Sequence, residues 1–113
     1  MTEAGFGRVV VIASVAGKIG SPRTAAAEVA TTGVTVNAVC PGYVDTPMTD
    51  QSVAHIAAGT GRSEDEAREI LARMQPIGRL VTVDEVASAV LLCVDNAALT
   101  GQGINVDGGA VQS

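Results

Sequence analysis

The side chains most able to do chemistry follow two predicted strands. The apolar run RVVVIA from Arg8 to Ala13 leads into Ser14, and the run VTVNAVC from Val34 to Cys40 leads into a Pro-Gly turn. In sheets of parallel strands flanked by helices, ligands bind at the carboxyl ends of the strands. A hydroxyl at such a position can donate to an oxygen that becomes negative during a reaction, or it can simply cap the following turn.

Three short apolar runs predict the strands that position these groups. They are rich in β-branched residues, end at loop residues, and span Arg8–Ala13, Val34–Cys40 and Gly103–Val106. Nearly continuous apolar runs of this length are typical of parallel strands that are covered on both faces. We therefore expect an α/β fold with three parallel strands in the order one-two-three and helices packed on their faces.

Two helices carry clear start signals. Ser63 with Glu66, and Thr82 with Glu85, have the spacing of capping boxes. The first of these helices should bury Ala67, Ile70, Leu71 and Met74, and should pair Glu64 with Arg68 and Glu69 with Arg73. The second should bury Val86, Ala89, Val90, Cys93 and Val94.

The remaining connections give weaker signals. Residues Thr24–Ala30 are the best candidate for a short helix that crosses between the first two strands, since a parallel crossover usually carries a helix. The Gly- and Ala-rich stretch Ala54–Ser63 is predicted to be mostly loop. Its Gly59-Thr60-Gly61 follows no strand and lacks a third glycine at the right spacing, so it is not predicted to bind phosphate.

Composition excludes several classes of function. At 113 residues the chain is one domain at most. Its net charge is −5, from 7 basic and 12 acidic residues, which gives nucleic acid or an anionic membrane no basic surface to bind. The first residues do not form a signal peptide, and no apolar run is long enough to span a bilayer, so we expect a cytoplasmic protein. Cys40, Cys93 and the single His55 are too scattered to predict a metal site, and the cysteines are expected to be separate buried thiols.

Four segments together resemble the short-chain dehydrogenase/reductases. In chain order they are similar to the fifth strand with its serine turn, the sixth strand with its cofactor loop, the penultimate helix and the last strand of that family. They read GRVVVIASVAG from Gly7 to Gly17, VTVNAVCPGYVDTPM from Val34 to Met48, PIGRLVTVDEVASAVLLC from Pro76 to Cys93, and TGQGINVDGG from Thr100 to Gly109. The resemblance implies that residues 1–113 form a single partial NAD(P)-binding domain of Rossmann-like, three-layer architecture, corresponding to the last part of such an enzyme.

The resemblance also implies roles for particular residues. Ser14 matches the catalytic serine that hydrogen-bonds the substrate oxygen, while Asn37 matches a structural asparagine. Four further residues match the wall of the nicotinamide pocket, where backbone groups and a threonine hydroxyl hold the carboxamide; they are Pro41, Gly42, Val44 and Thr46. The implied cofactor is NAD or NADP, between which the sequence does not choose. The implied substrate is a small carbonyl or alcohol compound. The Met48–Met74 insert is similar to a substrate lid, and its similarity favours a ketoacyl substrate.

Two departures from the family limit what this chain can do. Its tyrosine and lysine, spaced Tyr-x-x-x-Lys, are absent: Ala27 stands where the tyrosine should be, and the catalytic helix is predicted to be deleted. The glycine-rich loop that holds the diphosphate at a helix N-terminus is also absent from these residues. Tyr43 is a poor replacement, since an unassisted tyrosine has a pKa near 10, and it is expected to line the pocket instead. His55 is interpreted as a lid or surface residue. Asp45 is interpreted as a loop-capping residue.

These features leave three hypotheses. The chain is a nicotinamide-dependent oxidoreductase by descent that does not turn over alone, a non-catalytic interaction module, or a truncated gene product. In each case the first strand has no predicted neighbour on its outer side. Such an open edge invites pairing with another chain, so self-association is expected.

Overall fold

The computed structural model describes residues 5–13 and 22–110. They form three strands and four helices: β1 (Gly7–Ile12), α1 (Pro22–Val29), β2 (Val34–Pro41), α2 (Pro47–Thr60), α3 (Glu64–Arg73), α4 (Val83–Asp95) and β3 (Gly103–Val106). The strands make one parallel sheet in the order β1-β2-β3, which confirms the predicted α/β architecture and strand order. Within the described ranges, no helix combines the length and the apolar character needed to cross a bilayer.

The central strand β2 is the best covered element of the sheet. All seven residues from Val34 to Cys40 are buried, which requires cover on both faces because successive side chains point to opposite sides. The helices that contact β2 are α1 and α4, and α4 also crosses over β1 and β3. Asn37, fully buried on β2, donates to the Leu99 carbonyl (2.8 Å) and accepts from the Gln102 backbone N–H (3.1 Å), so it ties the sheet to the segment before β3.

The edge strand β1 differs from the expectation that both of its faces would be covered. Val11 and Ile12 are 44% and 58% exposed, and β1 pairs only with β2 among the described residues. The sequence pattern is that of an interior strand, whereas the structure gives it the position of an edge. Self-association through this edge stays a prediction.

The two segments between β2 and β3 that begin with a predicted capping box are helices, α3 and α4, as predicted. The capping hydrogen bonds at their first residues differ from each other. Thr82 and Glu85 form the complete reciprocal box at α4. At α3 only half of the box is present: the Ser63 hydroxyl accepts from the Glu66 backbone N–H, but the Glu66 carboxylate contacts that hydroxyl instead of the Ser63 backbone. One hydrogen-bond acceptor therefore suffices to start α3.

The stretch predicted as loop is instead most of a helix. α2 extends to Thr60, so Ala54 to Thr60 are helical, and Gly61 ends the helix in the left-handed conformation at φ 68°. Tertiary packing overrides the Gly- and Ala-rich composition, because Val53 of α2 packs with Ala67 and Leu71 of α3 in a small buried cluster. Gly59-Thr60-Gly61 thus lies at the carboxyl end of a helix, where the helix dipole disfavours phosphate.

The surface pairs of α3 are also partly different from the prediction. Arg73 pairs with Glu69 as expected, but Arg68 turns away from Glu64 and binds Asp45 and Asp50. Met74, predicted on the buried face, is 54% exposed because α3 ends at Arg73 and Met74 is its C-cap. Arg68 therefore links α3 to the loop after β2 and to the first turn of α2.

Candidate functional site

The main cavity lies where the carboxyl ends of β1 and β2 meet the amino ends of α2 and α4. Its volume is about 720 Å³, within the range of roughly 300–1,000 Å³ that is usual for small-molecule sites. Its walls come from four elements and the connections between them, through the residues Ile12, Ala13, Pro41, Gly42, Val44, Thr46, Met48, Thr49, Val83, Val86 and Ala87.

All four predicted cofactor residues lie in the wall of this cavity. Pro41, Gly42, Val44 and Thr46 line it together, because the chain turns back over the sheet edge directly after β2. Their roles toward a cofactor remain predictions. The predicted catalytic residue Ser14 lies outside the described residues, although Ala13, which immediately precedes it, is part of the wall.

A buried glutamine fixes the turn after β2. Gln75 is 1% exposed, and its side-chain oxygen accepts from the Tyr43 backbone N–H at 2.7 Å. Its amide donates to the Arg79 carbonyl at 2.8 Å and to the Tyr43 carbonyl at 3.4 Å. One side chain thereby joins the loop after β2 to the segment between α3 and α4. Sequence reasoning missed Gln75, because a single polar residue beside Pro76 gives no periodic or motif signal.

The same loop is held by backbone bonds to the residue before α4. Val44 and Val81 form a parallel bridge, in which the Asp45 N–H donates to the Val81 carbonyl and the Val81 N–H to the Tyr43 carbonyl, both at 2.9 Å. The Thr49 hydroxyl also donates to the Val44 carbonyl. The cavity wall is thus fixed from two sides, by the 75–81 segment and by the first turn of α2.

Gly42 occurs where the backbone of the loop comes closest to its neighbours. A Cβ atom there would lie 2.3 Å from the Gln75 side-chain oxygen and 2.9 Å from the Cβ of Asp107. The Gly42 N–H donates to the Val106 carbonyl at 3.0 Å, which fixes the loop to the end of β3. Only glycine allows this approach without a shift of the loop.

The cavity wall contains no charged side chain among the residues that line it. Its polar groups are the hydroxyls of Thr46 and Thr49. Thr46 makes only a long 3.5 Å contact to the Val44 carbonyl and does not cap α2 with its side chain. The Thr46 hydroxyl and the amino end of α2, which carries a partial positive charge, are therefore available to an uncharged or electron-rich polar group such as a carboxamide oxygen.

Charged groups near the amino ends of α2 and α4 form ion pairs. Glu85 binds the Arg79 guanidinium and accepts from the Thr82 backbone N–H, and these bonds lower the pKa of Glu85 from 4.5 to about 2. The hydrogen bond to Asp50 raises the pKa of Arg68 above its ordinary value. These pairs fix the amino ends of α4 and α2, the two helix ends that face the cavity.

Tyr43 does not line the main cavity. Its ring is 40% exposed and lines a separate cleft of about 360 Å³ with His55 and with Met48, which borders both spaces. Tyr43 was expected to line the pocket, but its side chain lines this cleft instead of the cavity that Pro41, Gly42 and Val44 share.

Cys40 and Cys93 are both buried and unpaired with each other. Burial raises the pKa of the Cys93 thiol, which makes it a less reactive nucleophile. No group of three or more His, Cys, Asp or Glu side chains placed to hold a metal ion occurs in residues 5–13 and 22–110.

Comparison with known proteins assigns this architecture. The family model described as enoyl-(acyl carrier protein) reductase, of the short-chain dehydrogenase type, matches residues 2–111. The chain belongs to the short-chain dehydrogenase/reductase family. D-beta-hydroxybutyrate dehydrogenase of Rhizobium meliloti (strain 1021) is 38% identical over 128 residues, which covers 96% of this chain and 50% of that protein.

Two polyketide reductases are similarly related. Granaticin polyketide synthase putative ketoacyl reductase 1 of Streptomyces violaceoruber is 39% identical, covering 91% of this chain and 44% of that protein. The crystal structure of a variant of actinorhodin polyketide ketoreductase with NADPH superimposes with a TM-score of 0.86 at 38% identity, covering 97% of this chain and 49% of that one. The chain spans about half the length of the curated relatives it matches.

The alignment lengths also bear on the predicted internal deletion. The alignment to the Rhizobium dehydrogenase has 128 positions, whereas this chain has 113 residues. The aligned part of this chain is 96% of its 113 residues, about 108, so about 20 positions, 128 minus 108, hold residues of the relative that have no counterpart here. The number agrees with the predicted deletion, and its placement at the catalytic helix stays a prediction.

The residues present fit one end of a nicotinamide dinucleotide. An apolar cavity with the Thr46 hydroxyl and a helix amino end suits a flat ring with a carboxamide. A diphosphate needs cationic side chains or several convergent backbone N–H groups, and none of the lining residues within 5–13 and 22–110 has a cationic side chain. The described residues therefore fit the nicotinamide end.

Proposed function

We propose that residues 1–113 are a partial NAD(P)-binding domain that supplies the nicotinamide side of an NAD(P)-dependent oxidoreductase. The observation that carries this proposal is the convergence of Pro41, Gly42, Val44 and Thr46 on one apolar cavity at the carboxyl end of a parallel sheet. When bound, the nicotinamide gives or accepts a hydride, and the partner in that exchange is a carbonyl or alcohol carbon.

Each residue of the wall has a role that follows from its position. Pro41 and Val44 give apolar surface against the ring, and they exclude water from it. Gly42 lets the loop lie flat against the end of β3, and the Thr46 hydroxyl holds the carboxamide. Ser14, which follows the wall residue Ala13, hydrogen-bonds the substrate oxygen in this proposal.

The chain alone does not complete the reaction. The family's tyrosine and lysine that pass the proton are absent from the sequence, and the single tyrosine, Tyr43, faces a different cleft. Without a group whose pKa is suited to proton transfer near neutral pH, a bound carbonyl is not reduced at a useful rate. We expect binding without turnover.

The proposed substrate class is ketoacyl or 3-hydroxyacyl compounds. At least three relatives are named as ketoacyl reductases and two as D-beta-hydroxybutyrate dehydrogenases. The α2–α3 pair, which holds the insert similar to a lid, contributes Met48 and Thr49 to the cavity wall. An apolar lid residue beside the ring suits an acyl chain.

Binding of reduced nicotinamide mononucleotide tests the proposal. Its fluorescence should rise on addition of the protein, with an affinity within a few-fold of that for NADH, and ADP should not compete. Thr46→Val should weaken binding by roughly 2- to 12-fold, the loss of one net hydrogen bond. Thr60→Val, at the far end of α2 with its hydroxyl on the Ile56 carbonyl, is the matched control. Competition by ADP, or equal effects of the two variants, would contradict the proposal.

A second function, that of an interaction module, is favoured by the open edge of β1. A strand whose second edge has no partner among the described residues can add to another sheet by backbone hydrogen bonds. In this alternative the cavity is a remnant without a ligand, and neither NADH nor reduced nicotinamide mononucleotide binds.

A further inference from the structure

Helices α2 and α3 form a pair that packs mainly on itself. Val53 of α2 meets Ala67 and Leu71 of α3 in a buried cluster, and neither helix makes an extensive contact with a strand among the described residues. The loop after β2 and the segment between α3 and α4 connect this pair to the sheet. Because the pair also supplies Met48 and Thr49 to the cavity wall, its position affects the shape of the cavity.

Arg68 of α3 ties the helix pair to the loop after β2. Its Nη1 donates to the Asp45 Oδ1 of that loop at 3.3 Å, and its Nη2 donates to the Asp50 Oδ1 in the first turn of α2. The planar fork of a guanidinium can bind two carboxylates through different nitrogens. Glu64, four residues earlier on the same helix, has the spacing of a local partner, yet the Arg68 side chain instead joins three elements.

Asp45 lies between two residues of the cavity wall. Val44 and Thr46, its neighbours in the chain, line the main cavity, whereas the Asp45 side chain lines a separate cleft of about 400 Å³ together with Arg68. The Asp45 N–H donates to the Val81 carbonyl at 2.9 Å. A displacement of Asp45 therefore moves both wall residues, since they are covalently joined to it.

The charges around Arg68 distinguish it from an ordinary surface cation. The hydrogen bond to Asp50, and then the charges of Asp50, Asp45 and Asp65, raise the pKa of Arg68. A single exposed ion pair contributes little to stability, whereas a cation shared by two carboxylates also removes their mutual repulsion. Without Arg68, Asp45 and Asp50 would repel each other, and the loop would separate from the first turn of α2.

We propose that Arg68 is a positioning residue for ligand binding in the main cavity, because it holds the α2–α3 pair against the loop after β2 and thereby fixes Val44 and Thr46 in the wall. This inference rests on the proposed function, in which the ligand is the nicotinamide end of a dinucleotide. Arg68 is not among the residues that line the cavity, so it acts through Asp45 and Asp50. The Arg68 and Asp45 side chains are 37% and 67% exposed, so salt screens their attraction and weakens ligand binding.

Hydrogen exchange of the ligand-free chain tests the connection between α3 and the loop. The Val81 N–H donates to the Tyr43 carbonyl at 2.9 Å, and its exchange reports on opening of the loop. In Arg68→Met it should exchange roughly 1.5- to 5-fold faster, the range for the loss of one exposed ion pair, with the amides of β2 as the reference for global unfolding. Arg73→Met is the matched control on the same helix, since its ion pair with Glu69 lies within α3, and it should leave the Val81 rate unchanged.

A double-mutant cycle assigns the effect to the ion pair. Asp45→Asn should also raise the exchange rate of the Val81 amide, and Asp45→Asn with Arg68→Met should exchange no faster than Arg68→Met alone, because the pair is already broken. Additive effects of the two substitutions, or wild-type exchange in Arg68→Met, overturn the proposal.

Reduced nicotinamide riboside, which is uncharged, tests the consequence for the cavity. Its affinity, read from its fluorescence, should fall roughly 1.5- to 5-fold in Arg68→Met and stay unchanged in Arg73→Met. Raising NaCl from about 0.05 M to about 0.5 M should lower the wild-type affinity toward that of Arg68→Met, whose own affinity should respond much less. Arg68→Lys should restore part of the affinity at low salt, because the ammonium keeps the charge but not the fork.

The results for wild type separate this inference from the proposed function. Absence of any binding by the wild-type chain would overturn the proposed function and this inference together. Binding by wild type that Arg68→Met matches at both salt concentrations would overturn this inference alone. A loss in Arg68→Met that Arg73→Met shares would also overturn it, because the effect would then follow from any lost cation on α3.

Discussion

Replacing Gln75 by leucine should destabilise the chain more than its single side chain suggests. The substitution keeps the volume nearly constant and removes the bonds to the Tyr43 N–H and the Arg79 carbonyl. The Tyr43 carbonyl keeps the Val81 N–H as a partner. Two backbone groups of part-buried hydrogen bonds are left without these partners, and each such loss costs about 1–3 kcal/mol. The expected loss in the free energy of unfolding is therefore at most about 2–6 kcal/mol.

Urea denaturation followed by circular dichroism measures this loss. With a slope of about 2 kcal/mol per molar urea, the middle of the range for small proteins, the midpoint should fall by about 1–3 M. Hydrogen exchange in the wild-type chain gives an independent reading, since the Tyr43 amide should be among the protected amides of the loop. The affinity for reduced nicotinamide mononucleotide should fall in parallel, because the loop forms the cavity wall.

Gln102→Leu is the matched control. The Gln102 side chain is exposed and makes one bond, to the Thr100 carbonyl at 3.2 Å. Its removal should change the free energy of unfolding by less than about 0.5 kcal/mol. If Gln75→Leu and Gln102→Leu had the same midpoint, Gln75 would not hold the loop, and the account of the cavity wall would be refuted.

Four other substitutions give separable results. Gly42→Ala should cost about 1–3 kcal/mol by urea denaturation because its Cβ would overlap Gln75 and Asp107, whereas Gly59→Ala, in a helix with nothing within 4 Å, should stabilise by about 0.5–1 kcal/mol. Asn37→Leu should cost up to about 2–6 kcal/mol in the same assay, since the Leu99 carbonyl and the Gln102 N–H each lose their bond to the Asn37 side chain. For Glu85 the folded-state pKa of about 2 lies below 4.5, so the stability that Glu85 adds is complete above pH 4.5 and is lost as the pH falls toward 2. Glu85→Gln should therefore be less stable than wild type at neutral pH in thermal unfolding, and the two should converge near pH 2.

Sequence reasoning located the strands and their order because each strand is a compact apolar run with clear loop residues after it. β3 was predicted with its observed bounds, and β1 and β2 were within one residue of them. The motif after β2 also gave four cavity residues, since Pro41, Gly42, Val44 and Thr46 are local in sequence. Features of this kind can be predicted because they depend only on residues that are neighbours in the sequence.

The features that sequence reasoning missed depend on contacts between residues that are far apart in the sequence. The helical state of Ala54–Thr60 comes from packing of α2 on α3, and the role of Gln75 comes from a loop that lies 32 residues away in sequence. Arg68 had a plausible partner at Glu64 but found two carboxylates on other elements. The direction of the Tyr43 side chain depends on how the loop is fixed to Val81, which no motif states.

Chemical-shift mapping tests the central claim most directly, namely that the loop after β2 forms a site for the nicotinamide end of a dinucleotide. Reduced nicotinamide mononucleotide is titrated into ¹⁵N-labelled protein, and the amide signals are followed to saturation. We expect the largest shifts at the amides of Gly42, Val44 and Thr46 and at the start of α4, with little change in α3. No shifts at saturating ligand, or shifts confined to residues outside the cavity wall, would contradict the claim.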